Sequence, residues 1–339
     1  MSIWLFRAGS KGEHENKFLT DNRIYLTWDD LNFNLRSIKE KSDLYDKMQQ
    51  HYKLDKRQTA INYGSQTWPI AHVMKIGDWI ALPSKLSRTI HFGEVIGDYV
   101  YDESLGSPYY HYRDVRWFAT DIPRDLFNQD ILYSLGAFMT VCKIEKNNAE
   151  QRIKEIHKNG WKNKTSPAVS AIEDVGVETK IDLDEYISDQ IAERIIQHFK
   201  GHRMEELIDG ILKAKGFTTF HSAPGADNGV DILASEGPLG FGAPKICVQV
   251  KSYDTQVDRP TLDQLIGAMS IFGADYGLLV SWSGFKSSVL REIPKQFFKV
   301  RLWDSKQIIQ EIFENYDKLN DDIKTEIPLK RIWMLNLDE

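Results

Sequence analysis

Apolar residues in the first part of the chain come in short runs, at 3–7, 23–28, 79–83, 92–100, 114–118 and 138–144. Glycine turns separate several of them, among them Gly77-Asp78, and Gly93 with Gly97-Asp98. Strands this short and this numerous predict a small β-barrel over 1–143. One stretch departs from that rhythm. Over 34–52 polar and apolar residues recur near a helical period, which predicts a helix beside the barrel.

The pattern breaks after Ile144. Residues 145–180 are polar and charged with few periodic apolar positions, and 162–179 reads as linker, so the domain boundary is placed within 144–182. Regularity then returns over 183–339. Helical spacing marks 183–199 and 202–215, the second ending at Gly216, a residue type suited to the left-handed position after a helix. Strands are expected at 217–221, 230–234 and 245–251, with a turn at 224–229 and a Gly/Pro-rich hairpin at 237–244. A helix capped by Thr261 and running to Phe272 is preceded by Pro260; a strand at 276–282 and a helix over 285–298 interrupted by Pro294 follow. A strand at 300–303 leads to a last helix capped by Asp304 or Ser305 and running to Tyr316. The fold class is therefore α/β and α+β in two domains: a barrel with helices, then a mixed sheet in the order αβββαβ.

Composition narrows this picture only slightly. A length of 339 residues suits two domains, and 42% hydrophobic with 27% charged residues is ordinary for a globular protein. No apolar run approaches the roughly 18 residues of a membrane span, and the apolar stretch near Met1 is too short for a secretion signal. The two cysteines, Cys142 and Cys247, make neither a disulfide framework nor a Cys-rich zinc site. A cytoplasmic protein is expected. His198 and His202 are four apart, but with Gly201 between them and no HExxH pattern they read as two exposed histidines. The net charge of −6 argues against a basic surface that coats nucleic acid, while leaving room for a local basic groove around an acidic metal site.

Candidate chemistry concentrates in 245–251. Side chains alternate across a strand, so Ile246, Val248 and Val250 face a core while Gln249 and Lys251 share the other face, roughly 6.6 Å apart. The hairpin at 237–244 brings the Asp231 strand alongside, and an acid, an amide oxygen and an ammonium converge. Phosphodiester hydrolysis needs such a set: a carboxylate for Mg²⁺, which prefers hard oxygen ligands, and a metal that polarises the phosphate and activates a water. A lysine beside it orients that water and offsets developing charge. Glu205 or Glu206 in the preceding helix could add a ligand or a base. Each residue also has a plainer reading, since an aspartate after Asn-Gly is usual turn chemistry and a Gln-x-Lys pair is often the wet face of an edge strand. A polar pair in an otherwise apolar strand, following an aspartate in another apolar strand, favours the joint reading.

The segments Met204-Glu205-Glu206-Leu207, Gly216-Phe217, Gly225-Ala226-Asp227-Asn228-Gly229-Val230-Asp231-Ile232 and Val248-Gln249-Val250-Lys251 resemble the Mrr catalytic domain. That family belongs to the PD-(D/E)xK nuclease superfamily and uses a D…QxK variant of its motif. The resemblance covers about 203–303. It implies a restriction-endonuclease-like fold and a DNA endonuclease dependent on Mg²⁺ or Mn²⁺. Residue by residue it makes Asp231 the metal-binding acid, Gln249 the middle motif residue and a second ligand, Lys251 the catalytic lysine and Glu205 the helix glutamate, with Glu206 as the neighbouring alternative. The family often shows Asp-Gly-Gly before the valine, where this chain has Asp227-Asn228-Gly229; asparagine tolerates left-handed geometry, so the turn is expected to survive.

Five of the nine tryptophans, Trp4, Trp28, Trp68, Trp79 and Trp117, fall within 1–143. The stretches Ile24-Tyr25-Leu26-Thr27-Trp28, Met74-Lys75-Ile76-Gly77-Asp78-Trp79 and Phe92-Gly93-Glu94-Val95-Ile96-Gly97 are similar to PUA-like domains of the EVE and YTH group. That similarity implies a reader that stacks a flipped base between aromatic rings, where stacking recovers the cost of unstacking. Trp28 and Trp68 are the first candidates because polar or turn residues flank them; as core residues, the same tryptophans would simply pack. The combined reading is a restriction endonuclease of type IV character that acts on DNA carrying modified bases. Two rivals stand beside it: a nuclease acting on RNA or branched DNA, and a nonenzymatic nucleic-acid binder, which the joint presence of Asp231, Gln249 and Lys251 disfavours. One active site per chain also asks for a homodimer if both strands are cut.

Overall fold

The run Ile3–Phe6 is apolar at every position because both faces of its strand are buried. Ile3 and Leu5 enter one core with Ala81, Phe92 and Ile131, whereas Trp4 and Phe6 enter another with Ile24, Leu44 and Ile80. A computed structural model describes residues 1–136, 139–162, 183–222, 229–251 and 256–332, and the chain divides into two units, Met1–Asp189 and Gln190–Glu339.

In chain order the first unit holds β1 (Ile3–Phe6), α1 (Glu15–Asp21), β2 (Arg23–Tyr25), α2 (Lys41–His51), α3 (Arg57–His72), β3 (Trp79–Pro83), β4 (Thr89–Val95) and β5 (Val100–Tyr101). It continues with β6 (His111–Pro123), α4 (Gln129–Leu135), β7 (Val141–Lys143) and α5 (Ala149–Lys158). The strands form one curled sheet in the order β2-β6-β4-β3-β1-β7, with β5 beside β6. β1 and β3 run parallel; the other pairs are antiparallel.

Where a small β-barrel is expected, the strands form a half-barrel, with β2 and β7 at the ends of its strand order among the described residues. The β7 edge is covered by a helix instead of a strand: just ahead of β7, the Thr140 N–H donates to Gln66 Oε1 of α3 at 2.7 Å. A covered edge has no need of a pairing partner. The helix expected over 34–52 is two pieces, a 3₁₀ turn at Leu35–Ser37 capped by Asn34 and then α2. Helix α3 has no counterpart in the expectation because its buried positions, Ile70 apart, are small or polar: Ala60, Gly64, Gln66, Thr67 and Ala71. Gly64 lets α2 approach closely, since a Cβ there would sit 2.4 Å from Tyr45 Cδ1. Trp68, expected beside a turn, lies inside α3.

The stretch 144–182, expected as linker, begins with α5, which packs Ala149, Ile153 and Ile156 into the core of Ile3 and Leu5. Residues 163–182, Phe138 and most of the expected turn at 224–229 lie outside the described residues.

A buried histidine makes the first unit acid-sensitive. His111 lies between the Leu31 carbonyl, 2.6 Å from Nε2, and the Tyr99 hydroxyl, 2.7 Å from Nδ1. That hydroxyl also accepts the Leu35 N–H at 3.1 Å, so its own proton is directed to a neutral imidazole. Burial pulls the His111 pKa down from 6.5 to about 4, against the opposing pull of the Leu31 carbonyl. A depressed histidine contributes stability fully above its unfolded pKa and loses it as pH falls towards the folded one. Chemical denaturation should therefore show up to about 3 kcal/mol lost between pH 6.5 and 4 through this group. His111→Gln should flatten that slope; an unchanged slope would assign it to other groups.

Helix α6 (Leu183–His198) contains the division between the units. After it come α7 (Arg203–Ala214), β8 (Thr218–His221), β9 (Ile232–Ser235), β10 (Lys245–Lys251), α8 (Arg259–Phe272), β11 (Tyr276–Ser281) and α9 (Ser287–Leu290). The chain ends with α10 (Ile293–Gln296), β12 (Val300–Trp303), α11 (Ser305–Asn315) and α12 (Asp321–Glu326). The sheet order is β12-β11-β10-β9-β8, parallel from β10 to β12 and antiparallel from β10 to β8. This is the expected mixed sheet in αβββαβ order. Asp304 caps α11 through the Gln307 N–H at 2.9 Å. Asp258, not Thr261, precedes α8 as its N-cap residue, and Pro260 sits in the first turn, where its missing N–H costs nothing. Pro294 likewise starts α10 and divides the helix expected over 285–298. No helix among the described residues is long and apolar enough to cross a membrane.

Candidate active site

The two faces of the second sheet bury different sets of side chains. Ile232, Val248 and Val250 pack with Met204, Leu207, Ile208 and Ile211 of α7. Cys247, Leu279 and Val300 pack on the other face with Leu262, Leu265 and Met269 of α8. Alternation along β10 then puts Gln249 and Lys251 on the α8 face with Cys247.

Asp231 immediately precedes β9, and its backbone continues the ladder: its N–H donates to the Val248 carbonyl at 2.9 Å, and its carbonyl accepts the Ser222 N–H at 3.0 Å. Val248 opposite Ile232 is the last pair of the ladder, so Asp231 and Gln249 lie just beyond it on the two neighbouring chain segments. There the side chain replaces the backbone as partner, because the Val250 N–H donates to Asp231 Oδ2 at 2.6 Å. The carboxylate is thereby held where the two strands part. Lys251 is exposed at the end of β10, opposite Ser281 of β11.

Gln249 is fully buried, and among the described residues its Oε1 has no hydrogen-bond partner. A buried amide oxygen left without a donor loses its hydration and gains nothing in return, a cost of roughly 1–3 kcal/mol. Such an atom is a fitting ligand for a hard cation. Among the described residues no three His, Cys, Asp or Glu side chains gather into a cation site. A metal at this place would therefore rest on Asp231 together with the Gln249 oxygen, the ligand pair expected from the sequence.

The structure brings Asp231, Gln249 and Lys251 together on adjacent strands. Glu205 is placed otherwise: its carboxylate meets His202 Nδ1 at 2.9 Å, on a helix that packs against the opposite face of the sheet. Glu206 is exposed beside Arg203 at 3.5 Å. The buried acid of α7 is Asp209, which takes Lys213 at 2.7 Å, His221 Nε2 at 3.3 Å and the Thr219 hydroxyl. Burial pushes its pKa up, but the bonds from Lys213 and Thr219, with the charges of Lys213 and His221, hold it below the usual range. His198 pairs with Glu326 and His202 with Glu205, so the two do not share a ligand site.

Two further residues shape this place, Gly229 from within the motif and Gln264 from outside it. Gly229 has φ 82°, and a Cβ there would lie 2.7 Å from both Gln249 Nε2 and Gln264 Nε2. Gln264, on α8, accepts the Gln249 Nε2–H at 3.4 Å. Its spacing three residues after Thr261 on an exposed helix turn carries no signal by itself.

In the first unit, Trp28 and Trp68 are both half-buried against the core. Trp28 meets Tyr63 edge-on at 4.5 Å between ring centres, and Trp68 stacks on His72 at 3.6 Å.

Residues 196–312 match a family model described as restriction endonuclease, the Mrr catalytic domain, and residues 4–142 match one described as a domain of unknown function (DUF8426). No curated protein matches the chain. Among solved structures, the chain is similar to the DNA modification-dependent restriction endonuclease AspBHI at 14% identity and a TM-score of 0.34, covering 85% of this chain and 71% of that one. The MspJI restriction endonuclease in complex with a 27-mer oligonucleotide gives 11% identity and a TM-score of 0.27, with 97% and 80% covered. The ATP-dependent Type ISP restriction-modification enzyme LlaBIII bound to DNA gives 15% identity and a TM-score of 0.30; 44% of this chain is covered, and it spans only 10% of that one. By the family match and the motif it carries, the segment 196–312 is a restriction endonuclease domain of the Mrr type, which implies a nuclease.

Proposed function

We propose that this protein is a Mg²⁺-dependent DNA endonuclease of restriction, directed to modified bases by its first unit. The observation that carries the nuclease reading is the buried Gln249 oxygen, without a donor among the described residues, beside the Val250 N–H that Asp231 accepts and with Lys251 two residues on. When bound, Mg²⁺ or Mn²⁺ supplies charge that polarises the phosphate and eases deprotonation of a water. Asp231 supplies the anionic ligand and Gln249 a neutral one. Lys251 reaches solvent from the strand end and offsets charge that develops on the phosphate. Glu205 is the auxiliary acid on the family resemblance of its helix. Two copies, each cutting one strand, would complete a double-strand break. The reaction is placed in the cytoplasm, where foreign DNA arrives.

The test is cleavage of the same sequence as plain DNA, as cytosine-modified DNA and as RNA, with Mg²⁺ and with chelator. Modified DNA should be cut fastest and only with metal. Preferential cleavage of RNA would overturn the substrate, and cleavage in chelator would overturn the metal.

The PUA-like reading of the first unit assigns the base pocket to Trp28 or Trp68. Replacing the pocket tryptophan by alanine should cost about 1–3 kcal/mol of binding, the usual worth of base–aromatic stacking, and more on modified than on plain DNA. A tryptophan that merely packs would instead cost about 3–5 kcal/mol of stability. Each variant is therefore measured for DNA binding and for thermal stability. If both fold and bind as the parent does, neither ring is in a pocket.

A further inference from the structure

Gln249 poses a problem that a glutamate at its position would not. Its side chain ends in one oxygen and one nitrogen, and only the oxygen can ligate a hard cation. The strand determines where this amide lies but not which way round it is turned. Three observations bear on that choice. The Gln249 nitrogen donates to Gln264 Oε1 at 3.4 Å. The Gln249 oxygen is buried and has no donor among the described residues. Gly229 closes over both amides so tightly that a Cβ there would lie 2.7 Å from each nitrogen and 2.9 Å from Gln264 Cδ.

We infer that Gln264 is a positioning residue: by accepting from the Gln249 nitrogen it turns the Gln249 oxygen towards the cation. The inference rests on the metal reading above. With Gln264 oriented as it is, a Gln249 amide turned the other way would set its oxygen against the Gln264 oxygen and aim an N–H at the cation. Both contacts are repulsive. Gln264 itself is exposed on α8, whose inward residues are Leu262, Leu265, Ala268 and Met269. Replacing it should leave the helix and its packing intact.

The experiment measures Mn²⁺ binding to the full chain without DNA, by the paramagnetic resonance signal of free Mn²⁺, alongside the thermal melt. Gln264→Met keeps the side-chain length and removes the acceptor. Losing one orienting hydrogen bond should weaken Mn²⁺ binding about 3- to 10-fold with an unchanged melt. Gln264→Glu, which keeps an acceptor oxygen, should bind at least as well as the parent. In a Gln249→Glu background the effect of Gln264→Met should vanish, because a carboxylate presents oxygen either way round. Parental affinity in Gln264→Met together with a loss in Asp231→Asn would overturn the positioning role and leave the metal site standing. Equal affinity in the parent and Asp231→Asn would overturn the metal reading and this inference with it. An equal loss from Gln264→Met in both backgrounds would mean that Gln264 acts through packing, and would also overturn the inference.

Discussion

Asp231→Asn and Lys251→Ala should each slow DNA cleavage by about 10²–10³-fold or more, the usual cost of removing a charge that stabilises a transition state. The choice of substitution at Asp231 follows from its surroundings. Its Oδ2 accepts the Val250 N–H at 2.6 Å, so alanine would strand a buried donor at a cost of about 1–3 kcal/mol. Asparagine keeps an acceptor there and removes the charge. Lys251 is exposed, and substitutions at such positions usually change stability by less than about 0.5 kcal/mol. Both variants should therefore melt near the parent temperature, which separates lost chemistry from lost fold. Glu205→Gln completes the series. Its carboxylate pairs with an exposed histidine on the far layer of the sheet, so a loss beyond tenfold would establish it as the auxiliary acid, and a parental rate would remove it. Cleavage at the parental rate by either Asp231→Asn or Lys251→Ala would overturn the site.

The largest stability effect is expected at Arg124. Its guanidinium is buried, with Nε and Nη2 on the two Asp189 oxygens at 3.0 and 2.6 Å and Nη1 2.7 Å from Glu185. Asp189 also takes Arg88 at 3.0 Å, and Glu185 takes Arg7 at 3.1 Å. Removing one member of such a group leaves charge buried and uncompensated, typically at about 3–5 kcal/mol. Arg124→Met should cost that much in a denaturant melt, and adding Glu185→Gln and Asp189→Asn should restore a large part of it. A loss under about 1 kcal/mol would mean that Arg7, Arg88 and Lys85 suffice. The group is also pH-dependent. Burial alone would raise the Glu185 carboxyl, but Arg124 foremost, with Arg7 and Lys85, holds it down at about 2. A depressed carboxyl contributes stability above its unfolded pKa near 4.5 and loses it as pH falls towards 2. The parent should lose stability over that window, and Arg124→Met should lose less.

The strand that carries Gln249 and Lys251 is the most legible part of the chain. β10 has the bounds read from its alternation, Lys245–Lys251, because a Gly/Pro-rich hairpin delimits one end and both sheet faces are filled by neighbours that suit its apolar residues. β12 and the Asp304 cap were legible for similar local reasons. Aspartate before a helical run and apolar residues between turns carry their meaning within a few positions.

What escaped the sequence depends on residues far apart. Apart from Ile70, α3 buries alanine, glycine, glutamine and threonine, so no apolar stripe announces it; its place is set by Tyr45 against Gly64 and by Gln66 on the β7 edge. That covered edge is also why the sheet stops at a half-barrel. Arg124 finds Asp189 across 65 positions, and no local pattern pairs two charges at such a distance. The site divides in the same way. Alternation along the strand determined that Gln249 and Lys251 share a face, and the hairpin that Asp231 lies alongside. Only tertiary structure decided that Asp231 would hold the Val250 amide, that α7 would carry Glu205 to the other layer, and that Gln264 would take the Gln249 nitrogen. Alternation along a strand is a property of the backbone and can be read from order alone, whereas the partner of each polar atom is decided by which elements pack together.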